Sequence, residues 1–211
     1  MKIGIIGSGM IGSTFGTLLG RATHEIMFSS RHPDTLDELA RDNKALTGRV
    51  GDACAWADAV LLAVPFKSVD DLGKQYNNLL QGKLVIDATN PYPDRDGEIA
   101  KQVVDNPYLS SAEVTQRSFS SAIVIKAFNA SYFKVFLSEA FKEGDARLAV
   151  PISGDDPTQK SIVMQLIEDL GMAPVDFGRL RNGKKFEPGT IPYNANIPIK
   201  EAMQKWGINL P

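Results

Sequence analysis

Gly7, Gly9 and Gly12 stand in the segment Gly7-Ser8-Gly9-Met10-Ile11-Gly12, spaced as G-x-G-x-x-G. The chemistry of that spacing is the cradling of a pyrophosphate when it follows a strand and opens a helix. Both flanks are present: Ile3-Gly4-Ile5-Ile6 is a short apolar run, and an amphipathic stretch begins at Met10. Gly7 then permits the sharp turn out of the strand, and Gly9 removes a Cβ where backbone must approach a phosphate. Gly12 lets the helix lie close on the strand, a small face that Gly16 continues. Free N–H groups from Gly9 to Ser13, with Met10 and Ile11 among them, and the positive end of the helix dipole face the phosphates. Without those flanks the same glycines would make only a flexible turn.

The end of the second apolar run, Glu25-Ile26-Met27-Phe28, decides which dinucleotide is expected. An NAD site ordinarily places a carboxylate there for the ribose hydroxyls. This chain has Ser29-Ser30-Arg31-His32-Pro33 instead. Arg31 can clamp a 2′-phosphate bidentately, Ser29 or Ser30 can donate to it, and His32 adds charge when protonated. The expected ligand is therefore NADP, against the plainer reading that the serines turn the chain and Arg31 is a solvated charge. Asp34 reads as an N-cap or first-turn acid of the next helix.

Other candidates fall where strands should end, since ligands of an open α/β sheet sit beyond the C-terminal strand edge. Pro65, Phe66, Thr89, Asn90, Asn129 and Ala130 are expected at that edge. Asp87 and Asn90 read by default as a buried polar pair bonding nearby backbone. Lys126 has two readings: a partner of Asn129 in orienting a carboxamide, or a solvated lysine at a strand end. Phe128, Phe133, Trp56 and Trp206 read as packing residues. Cys54, the only cysteine, lies among alanines and reads as a buried thiol. No metal-ligating cluster and no catalytic dyad stands out.

The elements that must position these residues alternate. Strands are expected at Lys2 to Gly7, Glu25 to Ser29, Ala59 to Val64, Leu84 to Ala88, Ala122 to Ala127, Arg147 to Ile152 and Ala173 to Asp176. Helices are expected at Met10 to Arg21, Thr35 to Leu46, Val69 to Leu80, Asp96 to Val104, Leu109 to Ser118, Tyr132 to Phe141 and Pro157 to Leu170. Crossovers of this length connect parallel neighbours, so the pattern predicts a doubly wound, mainly parallel α/β sheet of the Rossmann type over residues 1–177. Residues 178–211 are rich in Gly and Pro, with one helix expected at Ile199 to Trp206, and form a tail that packs on the domain or on a second subunit. A homodimer follows from the second alternative. Net charge is −2 and hydrophobic content 43% in 211 residues, which gives no basis for nucleic acid or an anionic membrane as partner. No apolar run approaches the ~20 residues of a membrane span, no signal peptide precedes the first strand, and a cytoplasmic location is expected.

The sequence resembles the NADPH-dependent F420 reductase family. The likeness runs through the Lys2 to Gly9 segment, the Ser29-Ser30-Arg31 turn, Ala63-Val64-Pro65, Ile86-Asp87-Ala88-Thr89-Asn90-Pro91, Val124 to Asn129, and Gly178-Arg179-Leu180-Arg181-Asn182. The cytoplasmic domain of animal membrane ferric reductases is similar as well. The resemblance implies that Gly9, Met10, Ile11, Ser30 and Arg31 touch NADP, that Val64 and Pro65 flank it, and that Lys126 to Asn129 border the nicotinamide. The implied reaction is hydride transfer between NADPH and a small-molecule electron acceptor, which is coenzyme F420, a flavin or a similar ring. Such transfer needs no protein nucleophile, because the cofactors carry the chemistry. The stretch Asp94-Arg95-Asp96-Gly97-Glu98 and the end Phe186 to Pro211 depart from the family pattern, both where a second substrate would enter. Two other readings stay open: a small β-hydroxyacid or imine reductase, for which the part after Phe177 looks too short, and a non-catalytic NADP(H)-binding redox sensor.

Overall fold

Short apolar strands and amphipathic helices alternate along the chain, and a computed structural model, which describes residues 1–207, closes them into one sheet. The strands are β1 (Lys2–Ile6), β2 (Glu25–Ser29), β3 (Leu46–Gly48), β4 (Ala59–Leu62), β5 (Leu84–Asp87), β6 (Ile123–Ala127), β7 (Ala149–Gly154) and β8 (Ala173–Asp176). Their order is β3-β2-β1-β4-β5-β6-β7-β8. All neighbours are parallel except β6 and β7, which pair antiparallel from Ile125↔Gly154 to Ala127↔Ile152. The chain reverses its winding between β1 and β4, and six parallel strand ends gather on one edge there. This is the doubly wound α/β arrangement, in which ligands bind at the reversal.

The helices are α1 (Met10–Arg21), α2 (Asp37–Asn43), α3 (Val50–Trp56), α4 (Val69–Tyr76), α5 (Pro93–Asp96), α6 (Glu98–Asp105), α7 (Ser111–Ser118), α8 (Phe133–Glu139), α9 (Pro157–Asp169) and α10 (Ile199–Trp206). They cover both faces of the sheet, and alternate strand residues feed the two cores. Ala59 and Leu61 of β4 join Phe15, Phe136 and Leu166 on one face. Val60 and Leu62 join Cys54, Val69 and Val103 on the other. Burial pushes the Cys54 thiol up to about 12, so it is inert packing.

Three expectations are corrected. Residues Thr35 to Leu46 do not form one helix: a 3-10 turn at Pro33–Leu36 leads into α2, and Lys44 takes a left-handed φ of 51° that stops it. Leu46 then enters β3, an edge strand too short to show period-two patterning. The helix α3 that follows it was also not anticipated. The strand expected at Ala59 to Val64 ends at Leu62, because the chain turns toward the site at Ala63.

Within the described residues, the tail after Phe177 returns to the domain. The Ala149 N–H donates to Ile197 O at 3.0 Å and the Asn194 N–H to Ala130 O at 2.6 Å. Gly183 presses on β6 and β7: a Cβ there would stand 2.7 Å from Lys126 Cδ and 3.2 Å from Ser153 Oγ.

Candidate functional site

The glycine turn separates packing needs from another need. Gly7 has φ +93°, and a Cβ on it would meet Ala63 O at 2.5 Å and Val64 Cγ1 at 2.7 Å. A Cβ on Gly12 would stand 1.9 Å from Gly7 O, and one on Gly16 would stand 2.1 Å from Phe28 Cε1. The fold itself requires these three. Gly9 is different, since its Cβ would meet no atom of the described residues within 4 Å. It is the N-cap of α1, without a side-chain cap, and the first turn of α1 carries no acidic residue. The first-turn N–H groups therefore face outward with no negative side chain to compete for them.

The end of β2 divides its polar residues. Ser29 is fully buried and donates to Ile5 O at 2.6 Å, so its hydroxyl ties β2 to β1 and is not directed at a phosphate. This corrects its expected role. Ser30 is half-buried, and its Oγ accepts from the His32 N–H at 2.9 Å, which leaves its proton to donate. Arg31 and His32 are exposed, and Arg31 makes no ion pair among the described residues. Asp34 sits in the first turn of the 3-10 segment, where His32 is the cap residue. Sequence reasoning missed Arg49. Ser29 pairs with Gly48, and the Ser30 N–H reaches Gly48 O at 3.3 Å. Arg49 thus leaves β3 beside the point where Ser30 leaves β2. Its signal was hidden because Leu46 was read as the end of a helix.

Between this corner and the tail lies a cleft of about 320 Å³ at the strand edge. Met10, Ile11, Val64, Pro65, Asn90 and Asn129, all expected at the site, line it together. Asn129 Nδ2 donates to Asn90 Oδ1 at 3.0 Å and to Phe186 O at 3.1 Å, while Asn90 Nδ2 donates to Asn129 O at 2.8 Å. The two amides lock β5 to β6 and the tail to both. Two buried oxygens of cleft-lining residues have no hydrogen-bond partner among the described residues: Asn129 Oδ1, on a residue 4% exposed, and Thr89 Oγ1, on one 2% exposed. Orphaned buried oxygens of this kind call for a partner. Phe128 is core, as expected, whereas Phe133 is half-buried and lines the cleft beside Tyr132. Phe66 is fully buried away from the edge.

Lys126 is neither solvated nor at the cleft. Its side chain is fully buried, with Nζ donating to Thr89 O and Ser111 Oγ, both at 2.9 Å, and standing 3.4 Å from Asp87 Oδ2. Glu187 closes the network by accepting from the Ser111 N–H and hydroxyl at 2.7 Å. Asp87 also takes the Thr89 N–H at 2.9 Å, so the expected buried polar role of Asp87 holds, with Lys126 as its unforeseen partner. The network stands behind Thr89 and sets its position.

The far wall came from segments without a motif. Tyr92, Arg95, Tyr132, Tyr193 and Asn194 line the cleft, and the two stretches that depart from the family pattern meet here. Arg95 lies over the Tyr92 ring at 4.8 Å, grips Asp96 at 2.7 and 3.0 Å, and donates to Asn90 O at 2.8 Å. Burial alone would raise the Asp96 pKa, but Arg95 and the backbone N–H groups of Tyr92 and Lys67 outweigh it and hold the carboxyl below its ordinary value. Arg95 is thus neutralised in place and acts as a brace. Among the described residues no group of side chains could hold a metal ion, and no helix is long and apolar enough to cross a membrane.

Residues 2–91 match the family described as NADP oxidoreductase, coenzyme F420-dependent. The F420-dependent NADP reductase of Methanocaldococcus jannaschii is 26% identical, over 100% of this chain and 98% of that protein. Metalloreductase STEAP3 of Rattus norvegicus is 27% identical over 88% of this chain, which spans only 36% of that protein's length. Among solved structures, the hypothetical protein SMa0349 from Sinorhizobium meliloti superposes with a TM-score of 0.80 at 28% identity, covering 94% of this chain and 95% of that one.

Proposed function

Residues 2–91 match the family of coenzyme F420-dependent NADP oxidoreductases, and from that likeness we propose that the protein passes hydride between NADP(H) and a deazaflavin, flavin or similar ring bound in the cleft. The single observation that carries the reading is Gly9, whose missing side chain the protein's own packing does not need. The residues fit the dinucleotide along its length. The outward N–H groups of the first turn of α1 suit the diphosphate. Ser30, Arg31 and Arg49, with His32 beside them, suit the 2′-phosphate, and the absence of a carboxylate at the end of β2 favours NADP over NAD. Asn129 Oδ1 and Thr89 Oγ1 can each accept from a carboxamide N–H.

Bound NADPH supplies the hydride. The chain's task is to align the rings and keep water out. Met10, Ile11, Val64 and Pro65 provide an apolar wall on the dinucleotide side, and Tyr132 and Phe133 offer aromatic surface on the acceptor side.

Purified protein mixed with NADPH and a panel of flavins and deazaflavins should consume the nicotinamide absorbance. Stabilisation by NADPH with no turnover of any acceptor would point to a non-catalytic module. Turnover of a small oxo-acid or imine alone would point to a dehydrogenase. The phosphate assignment has its own test. Arg31→Ala should raise the dissociation constant for NADPH by the equivalent of about 1.5–3 kcal/mol, the range for hydrogen bonds to charged groups, and hardly change that for NADH. Equal weakening of both nucleotides would show that Arg31 is not at the phosphate.

A further inference from the structure

Two tyrosine hydroxyls at the cleft carry one proton more than the protein uses. Tyr92 follows β5 and Tyr193 stands in the tail; both lie beyond the residues that match the family. Their hydroxyls hydrogen-bond to each other, and Asn90 Nδ2 donates to Tyr92 Oη at 3.4 Å. A phenol has one proton to give. Whichever hydroxyl donates within the pair, the other keeps its own, and among the described residues no carbonyl or carboxylate accepts it. Both side chains line the cleft with Phe133 and Tyr132. The polar groups turned toward the pair act as donors too: the Asn90 amide, the Asn194 amide beside Tyr193, and Arg95 over the Tyr92 ring. Burial, then the bond to Tyr92, push the Tyr193 pKa up from its ordinary 10.0, so the group stays a neutral donor at physiological pH. A cleft corner with a surplus donor and no acceptor suits a ligand that brings an acceptor.

We propose that the Tyr92–Tyr193 hydroxyl pair recognises the ring acceptor by donating to a carbonyl or imine heteroatom conjugated with the position that receives hydride. The inference rests on the hydride-transfer reading above and assigns the substrate-side specificity of that site. Hydride carries both electrons from the reduced nicotinamide, which ends oxidised. The ring takes the hydride and then one proton from solvent, and ends reduced. Between those events negative charge collects on the conjugated N–C=O of the acceptor. A donor held there binds that charge more tightly than it binds the neutral ring, so its contribution falls mainly on kcat.

The pair dictates an unusual mutational signature. In Tyr92→Phe or Tyr193→Phe the surviving hydroxyl loses its partner but keeps its proton for the ligand. Each single variant should stay within about threefold of the wild type in kcat/KM, as for loss of one neutral hydrogen bond. The double variant has no donor and should lose about ten- to a hundredfold, mostly in kcat, as for a hydrogen bond to a charged group. The probe is 5-deazariboflavin, with NADPH affinity measured separately by nicotinamide fluorescence and expected to hold. A double variant that turns over the probe as the wild type does would overturn the proposal and leave the function intact. A wild type that neither binds nor reduces any ring acceptor would sink the function, and the proposal with it. Should the double variant fail to fold, infrared spectra of wild-type protein with the oxidised probe decide. A ring carbonyl or imine stretch below its value in an apolar solvent supports the donor, and an unshifted one overturns it.

Discussion

The glycines of the first turn divide by what they touch, and the division is measurable. A methyl group on Gly12 would stand 1.9 Å from the Gly7 carbonyl, so Gly12→Ala must push α1 off β1. Overpacking of this kind costs about 1–3 kcal/mol, and a thermal melt should register the loss. A methyl group on Gly9 enters space free of atoms of the described residues. Gly9→Ala should therefore melt within a degree or two of the wild type, by the few tenths of a kcal/mol typical of an unstrained exposed site. Its NADPH affinity should nonetheless fall about tenfold or more, as backbone hydrogen bonds to the diphosphate are held off. Equal affinity in Gly9→Ala and wild type would remove the main support for a dinucleotide here. The spacing of these glycines was plain in the sequence, but their division of labour required knowing what lies behind each.

Elements reveal themselves in sequence when their periodicity has room to repeat. The sequence predicts the twelve-residue helix α1 with the bounds it has in the fold, and places the buried parallel strands β4, β5 and β6 to within a few residues. It misses the three-residue strand β3 and seven-residue α3, and Arg49 between them is lost with them. Lys126 illustrates another limit. Alternation places it in β6, but only the packing of Gly183 against its side chain removes it from water, with Asp87, Ser111 and Thr89 taking its protons. A cation with such partners is costly to remove, because the buried Asp87 carboxylate is left uncompensated. Lys126→Met should lower the unfolding free energy by about 3–5 kcal/mol, measurable by urea titration. A variant as stable as the wild type would mean that Asp87 does not depend on this ammonium.

At the scale of the whole molecule, the sheet brings together six strand ends and the tail covers one side of their edge. The molecule is also tied across its back. His24, between α1 and β2, meets Asp169 at the end of α9 at 3.2 Å. Burial and then the N-terminal ammonium lower the His24 pKa from 6.5, against the opposing pull of Asp169. A histidine whose folded pKa lies below its unfolded value favours the folded state fully above 6.5, and that preference is lost as pH falls from 6.5 toward the folded pKa. Melting temperature should accordingly drop as the solution is acidified below about pH 6.5, and His24→Gln should remove that part of the slope. An unchanged slope would assign the acid sensitivity to other groups.

The sequence alone determined the α/β class, the glycine turn and the carboxylate-free turn Ser29-Ser30-Arg31-His32, because each is local: a strand end, a few glycines and a charged turn lie within some thirty residues of one another. The far wall of the cleft was decided only in three dimensions. Tyr92 and Tyr193 are 101 residues apart, and no spacing links them. They meet because β5 ends beside β6 and because the Asn194 N–H reaches Ala130, bringing the tail back to that edge. Contacts set by the return of a distant segment leave no periodicity to read, and the burial of Lys126 was decided in the same way.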